Sequence, residues 1–144
     1  AVHDALVERG HLGQKSGAGF YRYDKATGAR APHDIVDGLI AEARGKAGLV
    51  ARSVSDQEIV ERTMMALVNE GYWILEEGIA RSAGDVDVVY VNGYGFPRHR
   101  GGPMFYAEAD LGLAQALKLI EGYQRGSFGK WWPVSGLLKR AAAG

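Results

Sequence analysis

The sequence predicts an all-α fold with a glycine-rich loop segment at its N-terminal end. Apolar residues recur at helical spacing in several stretches, whereas the alternation typical of β-strands is never sustained. Ser55 followed by Glu58, and Ser82 followed by Asp85, match side chains that cap helix N-termini. Glycines cluster between these stretches and mark the turns.

Composition excludes several functional classes. The 144 residues carry 17 basic and 17 acidic side chains, so no nucleic-acid partner or anionic membrane surface is expected. Cysteine is absent, which excludes a disulfide framework and a cysteine-based metal site. No apolar run approaches the ~20 residues that a membrane span needs. No basic segment precedes an apolar one at the start of the chain, so no signal peptide is predicted.

The first third of the chain divides into a helix end, a glycine-rich loop and a polar linker. Residues 1–9 have the pattern of a helix that stops at Gly10, and residues 10–24 form a compact loop ending in an extended aromatic strip. Lys15 and Ser16 lie in the wrong order for a phosphate-binding Walker turn, which favours a tight structural turn. Residues 25–32 are polar and predict a linker. Apolar spacing predicts an amphipathic helix over 34–47.

A long helix from residue 56 to about residue 81 is the strongest helical pattern. Its predicted apolar stripe consists of Val60, Met64, Leu67, Gly71, Ile74, Leu75 and Gly78. Gly71 and Gly78 are predicted to let another helix approach closely. Further helices are expected after Ser82, at 103–109, after a cap at Asp110, and at 137–142. The predicted domains are 1–30, 31–54 and 55–144.

The stretch VNGYGFPRHRGGPM, residues 91–104, is named here the glycine-proline loop. Gly93 is predicted to end the preceding helix in a left-handed conformation, and Pro97 prevents the helix from resuming. Pro103 suits the first turn of a new helix. Two interpretations follow from these residues. The loop is either a connector between packed helices or a connector that also lines a ligand cleft.

No catalytic constellation emerges from the residues themselves. The four histidines (His3, His11, His33 and His99) lack metal-ligand spacing on a shared helix face, so no metal site is predicted. The serines lie in loop or cap contexts, and local spacing assembles no nucleophile with a base and an orienting acid. Composition and periodicity alone therefore predict a helical domain without catalytic or cofactor-binding residues.

Two long motifs nevertheless resemble a known family. GHLGQKSGAGFYRY at 10–23 resembles the motif that ends the helical domain of 3-hydroxyacyl-CoA dehydrogenases. The stretch 68–112 resembles a second copy of that helical domain, as found in multifunctional enzymes of fatty-acid β-oxidation, which also carry an enoyl-CoA hydratase/isomerase domain. The tail from residue 127 onward resembles the end of those enzymes. The resemblance implies the end of a first helical copy followed by a second copy.

The resemblance implies that catalysis and NAD binding reside elsewhere in the parent protein. The family binds NAD in a Rossmann domain that would precede residue 1, and this chain contains no such strand-turn-helix. Where the first copy carries a substrate-facing asparagine before an arginine, this sequence has Glu61 and Arg62, as expected for a non-catalytic copy. The implied partners are the upstream Rossmann and first helical domains, and the acyl-CoA substrate.

In some relatives, a tyrosine at the position of Asn92 reaches the acyl-CoA pocket; this sequence departs from that pattern, with Asn92 at the position and Tyr94 two residues on, and these two residues are the predicted substrate contacts in the glycine-proline loop. Phe96, Arg98 and Arg100 are predicted to dock on the first helical copy, because aromatic and arginine side chains often anchor interfaces. An exposed apolar patch around Phe96 predicts self-association of the isolated chain. The alternative is a free-standing helical interaction module without activity. The C-terminal Ala-Ala-Gly is not a peroxisomal Ser-Lys-Leu signal, which favours a bacterial cytoplasmic origin.

Overall fold

The structure, a computed structural model, describes residues 2–126 and 128–144. The chain divides into two compact units, Ala1–Ser53 and Val54–Gly144. Helices dominate, and the one sheet that the described residues form has two short strands. The predicted all-α class is confirmed.

The first unit contains two helices and a β-hairpin. Its elements are α1 (Val2–Glu8), β1 (Tyr21–Tyr23), β2 (Arg30–Pro32) and α2 (Asp34–Lys46). The hairpin corrects the prediction of a linker over 25–32, because β2 pairs with β1 in antiparallel register. The Asp24 carboxylate closes the turn between them by accepting a hydrogen bond from the Thr27 N–H group at 2.7 Å. Such short, exposed strands leave no alternating pattern in the sequence.

The glycine-rich loop of this unit is a packed turn. A Cβ atom on Gly19 would lie 2.7 Å from the Cα atom of Gly13, so only glycine permits this close approach. The Ser16 hydroxyl donates to the carbonyl of Ala18 at 2.9 Å. Nδ1 of the buried His33 lies 2.8 Å from the carbonyl oxygen of Gly19. These contacts agree with a tight structural turn in this loop.

The second unit is a small helical domain. Its helices are α3 (Asp56–Glu76), α4 (Ala83–Gly93), α5 (Pro103–Phe105), α6 (Leu113–Gln124) and α7 (Gly136–Ala143). A π-helical turn, Tyr106–Leu111, continues α5. Both predicted caps are confirmed, because Ser55 accepts from the Glu58 N–H at 3.1 Å and Ser82 accepts from the Asp85 N–H at 3.2 Å.

The buried face of α3 is rotated from the predicted stripe. The buried residues of this helix are Met65, Val68, Asn69, Gly71 and Tyr72. Val60, which begins the predicted stripe, is 59% exposed. The core is completed by side chains from the other helices of this unit and from the segment before α7, namely Val86, Met104, Ala107, Ala116, Ile120, Val134 and Leu138.

The buried, polar Asn69 explains why the apolar periodicity of the sequence does not identify the buried face of α3. Its side chain is 6% exposed, and Nδ2 donates to the carbonyl of Pro133 at 2.9 Å. The hydroxyl of the fully buried Ser135 donates to Glu76 at 2.8 Å and caps the start of α7. A polar residue therefore occupies the core side of α3, since it binds the segment that leads into α7.

The two glycines predicted on α3 have different roles. A Cβ atom on Gly71 would overlap the sulfur of Met104, so the predicted close approach at this position is confirmed. The prediction for Gly78 is wrong, because α3 ends at Glu76 rather than near residue 81. Gly78 has φ = +70° and open space around its Cα, as expected for a left-handed residue just past a helix end.

The start of α6 also differs from the prediction. The predicted cap is Asp110, but the helix begins after Gly112, whose φ is +86°. Asp110 lies in the preceding π-helical turn, and its carboxylate is 3.3 Å from Nη1 of Arg100. Arg100, which lies 10 positions earlier, therefore binds the Asp110 side chain that the sequence predicts to cap α6. The final helix, predicted at 137–142, is confirmed as α7.

Candidate functional site: the glycine-proline loop

The glycine-proline loop begins at the C-terminus of α4. The backbone N–H groups of Tyr94 and Phe96 both donate to the carbonyl of Tyr90, at 3.2 Å and 3.1 Å. Gly95 takes the left-handed conformation, with φ = +71°. The left-handed residue is therefore Gly95 and not Gly93, because Gly93 still belongs to α4. This one-turn cap fixes the chain direction as it leaves the helix.

The other end of the loop is held by Asp87. Its side-chain oxygens accept hydrogen bonds from the N–H groups of Met104 at 2.8 Å and Phe105 at 3.0 Å. Burial raises the pKa of this carboxyl group, the two N–H donors lower it, and the charge of Glu108 raises it. Asp87 thus caps the N-terminus of α5 from another helix, with Pro103 in the first turn as predicted. Sequence reasoning missed this cap because Asp87 is not adjacent to α5.

Asn92 and Arg98 are brought together by the loop. The Asn92 side chain donates to the Val88 carbonyl at 2.9 Å, and its Oδ1 accepts from Nη2 of Arg98 at 3.1 Å. Tyr94 is 76% exposed, and its ring lies 5.5 Å from that of Tyr90. Of the two predicted substrate-facing residues, Asn92 therefore binds a cation, and both residues are exposed in this chain. Their contact with substrate remains a prediction.

Phe96 does not form the predicted exposed patch. Its side chain is only 8% exposed, because the cap at Gly95 turns the chain back over α4. Arg98 and Arg100 remain on the surface, and Arg100 pairs with Asp110. Of the aromatic and arginine side chains predicted for docking, Tyr94, Arg98 and Arg100 are therefore exposed, whereas Phe96 is buried.

The Glu61 and Arg62 pair makes contacts inside the second unit. The hydroxyl of Tyr123 donates to Oε1 of Glu61, and the Arg62 guanidinium lies 4.5 Å from the centre of the Tyr123 ring. Arg62 also binds Glu58 at 2.8 Å. Burial, followed by the hydrogen bond to Glu61, raises the pKa of Tyr123 to about 12. Both side chains of the pair are thus held within the domain.

An apolar groove on α4, which the sequence patterns did not indicate, lies beside the loop. We call it the α4 groove; its volume is about 490 Å³, and its lining residues are Ile74, Ile79, Ala80, Arg81, Asp85, Val86, Val89 and Tyr90. Ile79 and Val89 are 72% and 55% exposed. The adjacent valines Val88 and Val89 are the signal that could have identified it. Consecutive residues of a helix point in different directions, so the two cannot both face the core of the domain.

Other site types find no support in the part of the chain that the structure describes. Within residues 2–126 and 128–144, no three His, Asp or Glu side chains are grouped to hold a metal ion. None of the described helices is long and apolar enough to cross a membrane. The glycine-rich loop of the first unit leads into an antiparallel hairpin rather than from a parallel strand into a helix, so it does not fit NAD.

Comparisons with known proteins find extensive similarity. The chain is 46% identical over 123 residues to the peroxisomal bifunctional enzyme of Danio rerio, a match that covers 85% of this chain. It is 43% identical over 125 residues, or 86% of the chain, to the peroxisomal bifunctional enzyme of Homo sapiens. It is 35% identical over 118 residues, or 82% of the chain, to the fatty acid oxidation complex subunit alpha of a Psychrobacter strain. No protein-family model matches.

These matches cover only 17%, 17% and 16% of the three relatives, so the chain corresponds to a small part of each. They also correct the predicted bacterial cytoplasmic origin, because the relatives at 46% and 43% identity are peroxisomal enzymes of eukaryotes. The resemblance deduced from the motifs is confirmed: the chain is homologous to a segment of multifunctional fatty-acid oxidation enzymes, as expected of a C-terminal fragment of such a protein.

Proposed function

We propose that the chain is the C-terminal portion of an NAD-dependent 3-hydroxyacyl-CoA dehydrogenase. The parent enzyme oxidises 3-hydroxyacyl-CoA to 3-oxoacyl-CoA in fatty-acid β-oxidation. Similarity to bifunctional and fatty-acid oxidation enzymes over more than four fifths of the chain supports this assignment. NAD binds to an upstream Rossmann domain of the parent, since the described residues offer no dinucleotide turn.

Within the parent, this chain is a non-catalytic scaffold that contributes one wall of the acyl-CoA cleft. The observation that carries this proposal is the exposure of Tyr94 on a loop fixed at both ends. Capping at Gly95 and the Asp87 cap on α5 hold the loop, while Tyr94 is 76% exposed. An exposed aromatic ring on a rigid support is suited to binding, because little conformational entropy is lost when it is covered.

The contacts of Glu61 support the non-catalytic role. Its carboxylate accepts the Tyr123 hydroxyl, and Arg62 lies on the same ring. A residue held in this way is not available to a substrate. In this proposal, the first helical domain of the parent supplies the substrate-facing asparagine.

A reconstitution experiment tests the proposal. The upstream part of the parent is expressed alone and together with this chain, and NADH formation from a 3-hydroxyacyl-CoA is measured. We expect no activity from the chain alone and higher activity from the mixture than from the upstream part alone. The variant carrying Asn92→Ala and Tyr94→Ala should raise KM several-fold, whereas His99→Ala, in the same loop, is the control.

Two outcomes would contradict the proposal. NADH formation by the chain alone would mean that it contains a catalytic site. An upstream part that neither binds the chain nor gains activity from it would favour a free-standing helical interaction module. That second candidate rests on the closed hydrophobic core of the unit Val54–Gly144, which needs no additional segment to bury Met65, Ile120 or Leu138.

A further inference from the structure

The α4 groove lies between two helical faces and the segment that connects them. Ile74 comes from the last turn of α3, Ile79 and Ala80 follow that helix, and Val86 and Val89 belong to α4. Its volume, about 490 Å³, falls within the ~300–1,000 Å³ typical of small-molecule sites. Ile79 and Val89 are more than half exposed, so the groove is open along its length.

Most of the groove lining is apolar, and its polar side chains are those of Arg81, Asp85 and Tyr90. The backbone N–H groups of Ile79 and Ala80 both donate to the carbonyl of Ile74, at 3.0 Å and 3.4 Å. At the rim, Arg81 Nε lies 3.5 Å from the Asp85 carboxylate, so the two charges compensate each other. A polar peptide or an anion would therefore lose hydration without gaining partners. The chemistry favours a flexible, uncharged hydrocarbon chain.

One end of the groove leads to the glycine-proline loop. Tyr90 lines the groove, and its ring contacts that of Tyr94 at a centroid distance of 5.5 Å. The neighbouring Arg98 is bound to the neutral Asn92 amide. Among the described residues, no carboxylate lies within ion-pair distance of Arg98. Tyr90, which lines the apolar groove, thus contacts Tyr94 in the same loop that carries the uncompensated Arg98.

We infer that the α4 groove binds the acyl chain of a long-chain acyl-CoA, with the phosphates of the CoA moiety towards Arg98. The apolar lining accounts for the chain, and the cation accounts for the anionic head. The choice of acyl-CoA as the ligand rests on the proposed function. A saturated, unbranched chain fits best, because most of the groove lining is apolar and burial of methylene groups against it is favourable.

Displacement of a fluorescent polyene fatty acid tests the groove in the 144-residue chain. Acyl-CoAs from butanoyl to hexadecanoyl compete with the probe below micelle-forming concentrations, and affinity should rise steadily with chain length. Val89→Asp should weaken hexadecanoyl-CoA binding at least about tenfold. Val88→Asp is the matched control: the same change on the adjacent, 60% exposed residue of α4, outside the groove, should alter affinity by less than about twofold.

Two further variants test the groove and the head-group contact separately. Ile79→Asp, outside any helix, should reproduce the effect of Val89→Asp, and circular dichroism checks that each variant is folded. Arg98→Gln should weaken hexadecanoyl-CoA several-fold while leaving hexadecanoate unchanged, because only the CoA ester carries phosphates. Fatty acid binding that requires the groove, without a preference for the CoA ester, would overturn the head-group assignment while retaining the groove.

Three results would overturn the inference. Equal effects of Val88→Asp and Val89→Asp would mean that a general charge effect, and not the groove, controls binding. Absence of any dependence on chain length would exclude an acyl trough. Concentration-dependent dimers in analytical ultracentrifugation that Val89→Asp dissociates would assign the groove to a second copy of the chain. The reconstitution experiment is independent, since restored NADH formation supports the proposed function whether or not the groove binds the chain.

Discussion

The carboxyl group of Asp87 occupies the space that a side chain on Gly102 would need. A Cβ atom at that position would overlap the carboxyl carbon and Oδ1, and the backbone of Gly102 has φ = +126°. The absence of a side chain lets the chain pass close to α4, so that Asp87 reaches the N–H groups of Met104 and Phe105. This contact fixes the loop that carries Tyr94 and Arg98.

Gly102→Ala should therefore destabilise the domain. The added methyl group displaces the buried Asp87 carboxylate and strains the backbone, for an expected loss of roughly 2–4 kcal/mol in the free energy of unfolding. Urea denaturation followed by circular dichroism measures the loss. Gly93→Ala is the control, because Gly93 is the last residue of α4, lacks positive φ and has open space around it. Similar losses at both positions would contradict the proposed contact.

The pKa of Asp87 predicts a dependence of stability on pH. Burial raises the pKa of this group above 3.8, its ordinary value. The folded state therefore binds the proton more tightly than the unfolded state, and the Asp87 contribution to stability is fully present below pH 3.8. It is lost as pH rises through the folded pKa. Asp87→Asn cannot ionise and should remove this component from the pH profile. An unchanged difference between variant and parent from pH 3 to pH 7 would contradict the raised pKa.

Gly71 should tolerate substitution poorly because of Met104. Gly71→Leu forces its side chain into the sulfur of Met104 and is expected to cost roughly 3 kcal/mol or more. Gly71→Ala introduces a smaller side chain and should be combined with Met104→Ala. We expect a favourable coupling energy between the two substitutions, because Met104→Ala removes the sulfur that the new methyl group would overlap. Gly78→Ala is the comparison, with an expected loss of about 1 kcal/mol from backbone strain alone. Additive effects of Gly71→Ala and Met104→Ala would show that the two residues do not collide.

Tyr123 should ionise only near pH 12 while the protein remains folded, because burial and its bond to Glu61 disfavour the phenolate. The stability associated with the neutral phenol is present below its ordinary pKa of 10 and is lost as pH rises through the folded pKa. The phenolate absorbance of Tyr123, isolated as the difference between the parent and Tyr123→Phe, measures this value. Glu61→Gln removes the negative charge and should shift the transition to lower pH. The same transition in both proteins would exclude an effect of Glu61.

Much of the helical architecture was predictable because its determinants are local. Ser55 and Ser82 bind N–H groups three residues ahead, and Pro103 suits the first turn of a helix in its own right. These signals depend on neighbouring residues only. The helix starts that they predict therefore do not depend on the tertiary contacts of the domain.

The candidate site was only partly predictable. Loop membership of Asn92, Tyr94, Arg98 and Arg100 follows from glycine and proline spacing. The burial of Phe96 does not follow, because it depends on the direction in which the chain leaves α4 after Gly95. The α4 groove was missed for a related reason. The exposed Val89 becomes part of a groove only when the fold places Ile74 and Ile79 near it.

By itself, the sequence determined the helical class, the caps and the family resemblance, all of which depend on neighbouring residues or on long continuous motifs. Only the tertiary structure decided which face of α3 is buried and how the glycine-proline loop is held. Asn69 binds Pro133 from 64 positions away, and Asp87 binds Met104 from 17 positions away. Partners at such distances leave no periodic pattern in the sequence. The burial of a polar side chain becomes favourable only once the fold has placed its hydrogen-bond partner beside it.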